Sequence, residues 1–70
     1  MARYTQAARG RFDCYLMRDG IPVAYTDYDV VKLTGYYRDS DRAAVADFGA
    51  EYEMPVEWDK VHVAGFGLLS

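Results

Sequence analysis

Four short patterns in the sequence carry side chains capable of chemistry, and each lacks a partner that the chemistry requires. Asp27-Tyr28-Asp29 and Asp39-Ser40-Asp41 each set two carboxylates two residues apart, a spacing that can hold a divalent cation once further oxygens converge on it. After Asp41 come Arg42 and Ala43, so the third ligand, central glycine and closing glutamate of a calcium loop are missing. Both patterns read more simply as a turn and a helix start, where aspartate bonds to nearby backbone. Cys14 and His62 could form a nucleophile and its base, but no spacing marks them as neighbours. Alternation places Cys14 on a core face, where a thiol behaves as a small inert hydrophobe. Gly65-Phe66-Gly67 lacks the third glycine and following helix of a phosphate-binding loop. No catalytic residue, metal ligand or cofactor is assigned, and the expectation is a protein that is not an enzyme.

A different constellation points to recognition. Tyr28 lies between Asp27 and Asp29, Tyr36 and Tyr37 precede Asp39 and Asp41, and Trp58 lies between Glu57 and Asp59. Rings of this kind fill pockets on a partner, and flanking carboxylates meet arginines or lysines that set rate and register of association. Tyrosine offers a rigid apolar face and a hydroxyl for the loss of two side-chain torsions. Seven tyrosines, three phenylalanines and one tryptophan make the chain 16% aromatic; a thin core also recruits rings for their area, which accounts for Tyr15, Tyr25 and Tyr52 more than for Tyr28, Tyr36 and Tyr37. The expected partner-binding set is therefore Asp27, Tyr28, Asp29, Tyr36, Tyr37, Asp39, Asp41, Glu57, Trp58 and Asp59. Asp47, Glu51 and Glu53 extend the acidic surface along the expected helix.

Those residues need elements to position them. Asp19-Gly20 separates two β-rich runs and is a preferred type I′ hairpin loop. With Arg18 opposite Ile21, Leu16 is expected opposite Val23, Cys14 opposite Tyr25 and Phe12 opposite Asp27. Alternation then assigns Phe12, Cys14, Leu16, Ile21, Val23 and Tyr25 to the core. A third strand is read over 30–37, with Gly35 as a candidate bulge. A helix is read from Asp41 to Glu53, with Ser40 as N-cap, Pro55 as stop, and Ala44, Val45, Phe48 and Tyr52 as its apolar stripe. Gly49 weakens its second half by about 1 kcal/mol relative to alanine. Residues 56–60 are read as a loop, 60–64 as a last strand, and 65–70 as an apolar tail that docks on the sheet or on a neighbour. The expected fold is α+β: a small antiparallel sheet in the order β-β-β-α-β with one helix packed on one face.

Seventy residues admit one domain, 1–70, with a thin core, and residues 1–10 are read as a flexible basic arm. One cysteine allows no internal disulfide. No apolar run approaches the ~18 residues of a membrane span, so a cytoplasmic location without membrane contact is expected. Residues 1–18 hold four arginines against one aspartate, a net +3, whereas residues 19–70 hold four cations against ten carboxylates, a net −6. Such a body repels a phosphate backbone and suits a basic protein surface, typically that of a nucleic-acid-handling protein. In size, charge and aromatic content, though by no motif, the chain resembles the stand-alone inhibitors of phages and mobile elements, including anti-CRISPR proteins. That resemblance implies occlusion of a host nucleic-acid-handling complex. Two other classes stay open: a structural subunit that self-associates, as a homodimer or larger, through its tail and a strand edge, and a small nucleic-acid binder using Arg3, Arg9 and Arg11.

Overall fold

The structure, a computed structural model, describes residues 2–62, with side chains described to residue 59. The apolar tail expected over 65–70 and the last two residues of the strand expected over 60–64 lie outside the described residues. Strands β1 (Tyr4–Ala8), β2 (Cys14–Arg18), β3 (Ile21–Asp27) and β4 (Val30–Thr34) lead through a 3₁₀ turn (Asp39–Asp41) into helix α1 (Arg42–Glu51) and then strand β5 (Val56–His62). The sheet order is β1-β2-β3-β4-β5. The first three pairings are antiparallel and β4 with β5 is parallel. The fold is α+β with one helix on one face of the sheet, and the sheet is mixed.

Two strands go beyond the sequence reading. The segment taken as a flexible arm is β1, paired to β2 from Tyr4 opposite Arg18 to Ala8 opposite Cys14. Four of its five residues are exposed, so backbone pairing holds it and no apolar alternation announces it. The segment 56–60 is the start of β5 and not a loop. Its parallel pairing with β4 follows from the helical crossover, which returns the chain to the end of the sheet where β4 began.

The central hairpin turns as expected: Asp19 and Gly20 have φ of 52° and 84°, the positive pair of a type I′ loop. Arg18 pairs with Ile21 and Met17 with Pro22, but Leu16 then pairs with Ala24 and Tyr15 with Tyr25. The expected pairs Leu16 with Val23 and Cys14 with Tyr25 are therefore displaced by one extra residue in β3, a bulge at Val23. The bulge lets two consecutive small side chains, Val23 and Ala24, both enter the core, where each is fully buried. Tyr25 is correspondingly shifted to the face opposite the helix, where it is nonetheless buried as expected, against Tyr15 at 6.1 Å and under the Arg9 guanidinium at 4.4 Å. Ile21 is exposed, and Phe12 precedes β2.

The core is Leu16, Val23, Ala24, Val31, Leu33, Val45 and Phe48, bordered by Tyr4, Cys14, Tyr37, Met54, Val56 and Trp58. Val31 and Leu33 are the buried side of β4, which ends at Thr34, so Gly35 lies in the following turn and not in a bulge. Helix α1 runs through Gly49 to Glu51. The amides of Glu53 and Met54 bond the carbonyls of Ala50 and Gly49, a Schellman closure with Glu53 in the left-handed region at φ 56°. Gly49 is in the helix because nothing larger fits: a Cβ there would lie 2.9 Å from Val56 Cγ2 and 3.0 Å from the Met54 carbonyl.

The expected N-cap at Ser40 is replaced by a device centred on Asp41, which is wholly buried. Its Oδ2 accepts from the Arg18 guanidinium at 2.7 Å and from the Arg38 amide at 2.9 Å, and its Oδ1 accepts from the Tyr4 hydroxyl at 2.7 Å. Burial alone would raise the Asp41 pKa, but the bonds from Tyr4, Arg18 and Arg38 together hold it below the ordinary carboxylate value.

Three outcomes follow for stability. Gly49→Ala, which helix propensity alone would favour by about 1 kcal/mol, should lower the melting temperature, because overpacking of this kind costs about 1–3 kcal/mol. The Asp41 contribution is complete above the unfolded carboxylate pKa and lost as pH falls through the depressed folded value. Thermal melts should therefore be flat from pH 7 to 5 and drop below about pH 4, where an unfolded aspartate takes up its proton. Asp41→Ala should cost about 3–5 kcal/mol by stranding Arg18, enough to abolish the folded circular dichroism signal of a domain this small.

Candidate functional site

The ten residues expected to bind a partner fall into three groups. Asp41 is inside the molecule, committed to Arg18 and Tyr4, and is withdrawn from any contact surface. Tyr36, Tyr37, Asp39 and the β5 residues Glu57, Trp58 and Asp59 belong to a second group, which follows β4 and lies along the β5 edge. Here Tyr37 and Trp58 face each other at 6.2 Å and both pack on the core. Arg42 covers the Trp58 ring at 4.1 Å, and the Tyr37 hydroxyl is buried without a hydrogen bond among the described residues. These two rings therefore serve mainly the fold. Tyr36 and Asp39 are exposed.

The third group, Asp27, Tyr28 and Asp29, lies in the β3–β4 turn at the opposite end of the sheet. There it meets a residue that alternation had assigned to the core. Phe12 is 90% exposed and Tyr28 is 91% exposed, the two most exposed large apolar side chains among the described residues. They flank one cleft of ≈ 380 Å³ whose remaining lining is Asp13, Asp27 and Met54.

Local bonding explains why Phe12 points outward. The β1–β2 loop closes on Asp13: its carbonyl accepts from the amides of Arg9 at 2.8 Å and Gly10 at 3.3 Å. Its carboxylate accepts from the Thr26 hydroxyl at 3.1 Å and lies 3.5 Å from Arg9. Thr26 in turn accepts from the Cys14 amide at 3.0 Å, so the hairpin ladder ends there and residues 10–12 are thrown clear. The sequence signal that could have found this is Arg9-Gly10-Arg11 beside Asp13, a short polar turn that interrupts the strand reading at Phe12.

Tyr28 is presented at a conformational cost. It is the first central residue of a two-residue hairpin loop with φ 63°, where such loops take glycine or asparagine. A left-handed conformation costs an ordinary residue about 1–2 kcal/mol, and burial does not offset it in a side chain so exposed. Backbone strain of this kind clusters at functional positions.

The charges at this end are largely paired. Asp27 lies 3.1 Å from Lys32, and the hydrogen bond and charge of Asp27 raise the Lys32 pKa. Asp29 is exposed and makes no ion pair among the described residues. Of the four arginines in residues 1–18, Arg18 is in the buried pair and Arg9 covers Tyr25. Cys14 is half-buried; its thiol donates to the Tyr52 hydroxyl at 3.1 Å, which donates to Gln6 at 2.6 Å. The side chain of His62 lies outside the described residues. No helix among the described residues is long and apolar enough to cross a membrane.

Tyr28→Gly should raise the unfolding free energy by about 0.5–1 kcal/mol, the relieved strain less the extra chain entropy of glycine. An unchanged or lower midpoint in urea would show that no strain is stored there.

No family model, no curated protein and no solved structure matches the chain.

Proposed function

We propose that this chain is a non-enzymatic binding protein that occludes a basic surface of a larger protein, with Phe12 and Tyr28 as its anchors. The observation that carries the reading is the pair of rings, each about nine-tenths exposed, flanking one cleft, one of them held there against its backbone preference. Exposed aromatic anchors beside a partly apolar cleft supply the contact area on which binding hot spots are built. Met54 gives the cleft an apolar wall, while Asp29 is available to a lysine or arginine of the partner. The overall charge of −3 favours encounter with a basic surface and disfavours a phosphate backbone.

The concrete form of the proposal is an inhibitor, of phage or mobile-element type, that blocks a host nucleic-acid-handling complex in the cytoplasm, as anti-CRISPR proteins do. In such a complex the basic channel that receives nucleic acid is the complementary surface. Affinity capture from host lysate followed by mass spectrometry identifies the partner. The Phe12→Ala/Tyr28→Ala double variant should lose at least about 2 kcal/mol of binding, roughly thirtyfold in affinity, with an unchanged circular dichroism spectrum because neither ring is in the core. Asp29→Lys should slow association. Full retention of the same partner by the double variant would overturn this choice of surface.

A further inference from the structure

The two edges of the sheet are built differently. β5 carries Glu57 and Asp59, and its pairing with β4 slips between Val31 and Leu33. Charges and irregular pairing are the usual means of keeping an edge from accepting another strand. β1 has neither. Its residues, Tyr4-Thr5-Gln6-Ala7-Ala8, include no charge and no proline, and they pair with β2 in unbroken register.

The direction of its outer backbone groups follows from the ladder. The Asp19 amide donates to the Arg3 carbonyl and the Arg9 amide to the Asp13 carbonyl, each at 2.8 Å. Bonded positions alternate in an antiparallel pair, so Thr5 and Ala7 also turn toward β2. The N–H and C=O groups of Tyr4, Gln6 and Ala8 therefore face outward, along an edge where no further strand pairs among the described residues.

Beside this edge a cleft of ≈ 300 Å³ separates β1 from α1, with Tyr4, Gln6, Leu16 and Phe48 among its walls and Asp47 and Glu51 on the helical side. Asp47 and Glu51 are both exposed and stand one helical turn apart. Glu51 accepts a hydrogen bond from Gln6 at 3.0 Å, and neither carboxylate is in an ion pair among the described residues.

We propose that β1 accepts an extended, lysine- or arginine-bearing segment of a partner protein as a sixth strand, with cationic side chains entering the cleft to pair with Asp47 and Glu51. Main-chain bonds to Tyr4, Gln6 and Ala8 provide affinity, and the carboxylates select charge, the division of roles found when peptides add to a sheet edge. A second copy of this chain is disfavoured as the occupant. β1 against β1 would bring a second Asp47 and Glu51 onto the same seam, where like charges repel. The proposal stands on β1 and α1 and does not require the Phe12–Tyr28 cleft.

The test is fluorescence anisotropy with a labelled octapeptide alternating lysine with valine. The purified chain should bind it with an affinity that falls as salt rises. Affinity should drop at least about tenfold, some 1.4 kcal/mol, for the same peptide with glutamate in place of lysine, for the peptide N-methylated at alternate residues, and for the Asp47→Lys/Glu51→Lys variant. Ala8→Pro removes one outward N–H while leaving the bonds to β2 intact, a substitution edge strands tolerate, and should weaken binding similarly with an unchanged circular dichroism spectrum. Absence of binding, equal binding of the lysine and glutamate peptides, or indifference to N-methylation would overturn the proposal. So would a dimer in sedimentation equilibrium that Ala8→Pro dissolves, since the occupant would then be a second copy.

Discussion

The Asp41 carboxylate is where segments far apart in the chain meet, and most of the remaining geometry depends on it. It receives Arg18 from β2, Tyr4 from β1 and the amide of Arg38 from the start of the crossover. Through these bonds it ties the first two strands to the segment that launches the helix. A buried ion pair is weak evidence of stability in itself, because desolvation consumes most of its attraction. Its value here is positional. Among the described residues the buried apolar cluster has seven members, few enough that shape alone leaves the angle of α1 over the sheet loosely set. Three directed bonds to one carboxylate fix where α1 begins, and with it the opening between Tyr4 and the helix.

The parts of this fold that were legible in the sequence are those governed by local chemistry. Asp19-Gly20 dictated its turn because few other residues accept positive φ at both positions, and Val45 and Phe48 recur at helical spacing on the buried side of α1. The bulge at Val23 was not legible, since it is decided by how two small side chains share the space beneath the helix. Strand β1 was hidden for a different reason. Its exposed side chains carry no alternation, and what recruits it is the unsatisfied edge of β2 together with the Tyr4 hydroxyl. Similarly, residues 56–59, the first part of β5, read as a polar loop in isolation and become strand only because the crossover delivers them alongside β4.

The same division explains the candidate site. Sequence proximity of rings and carboxylates located Tyr28 and Asp29 correctly on the surface. It could not separate them from Asp41, Tyr37 and Trp58, which have similar local surroundings but are claimed by Arg18 and the core. The reverse error concerned Phe12. Alternation extended β2 two residues too far because it cannot register that Asp13 folds back on Arg9 and Thr26 and ends the ladder. In a chain this short, one displaced strand end moves a whole aromatic side chain between core and solvent.

Exposed rings and unpaired charge are weighted differently at the two features, with Asp29 the unpaired carboxylate among the described residues in the turn that carries Tyr28. At the Phe12–Tyr28 cleft, Asp13 and Asp27 already have Arg9 and Lys32 within ion-pairing distance, so apolar area dominates there. Along α1, Asp47 and Glu51 have no such cation among the described residues, so charge dominates beside β1. The two features are joined by the chain itself. Ala8, the last residue of the open edge, leads directly into the loop that carries Phe12. A partner segment laid along β1 and continuing past Ala8 would run onto that loop. Electrostatic attraction at the helix could then guide the strand, and burial of the rings would follow at its end. Such an order suits a small acidic protein: long-range charge governs encounter, while short-range apolar contact governs how long the complex lasts.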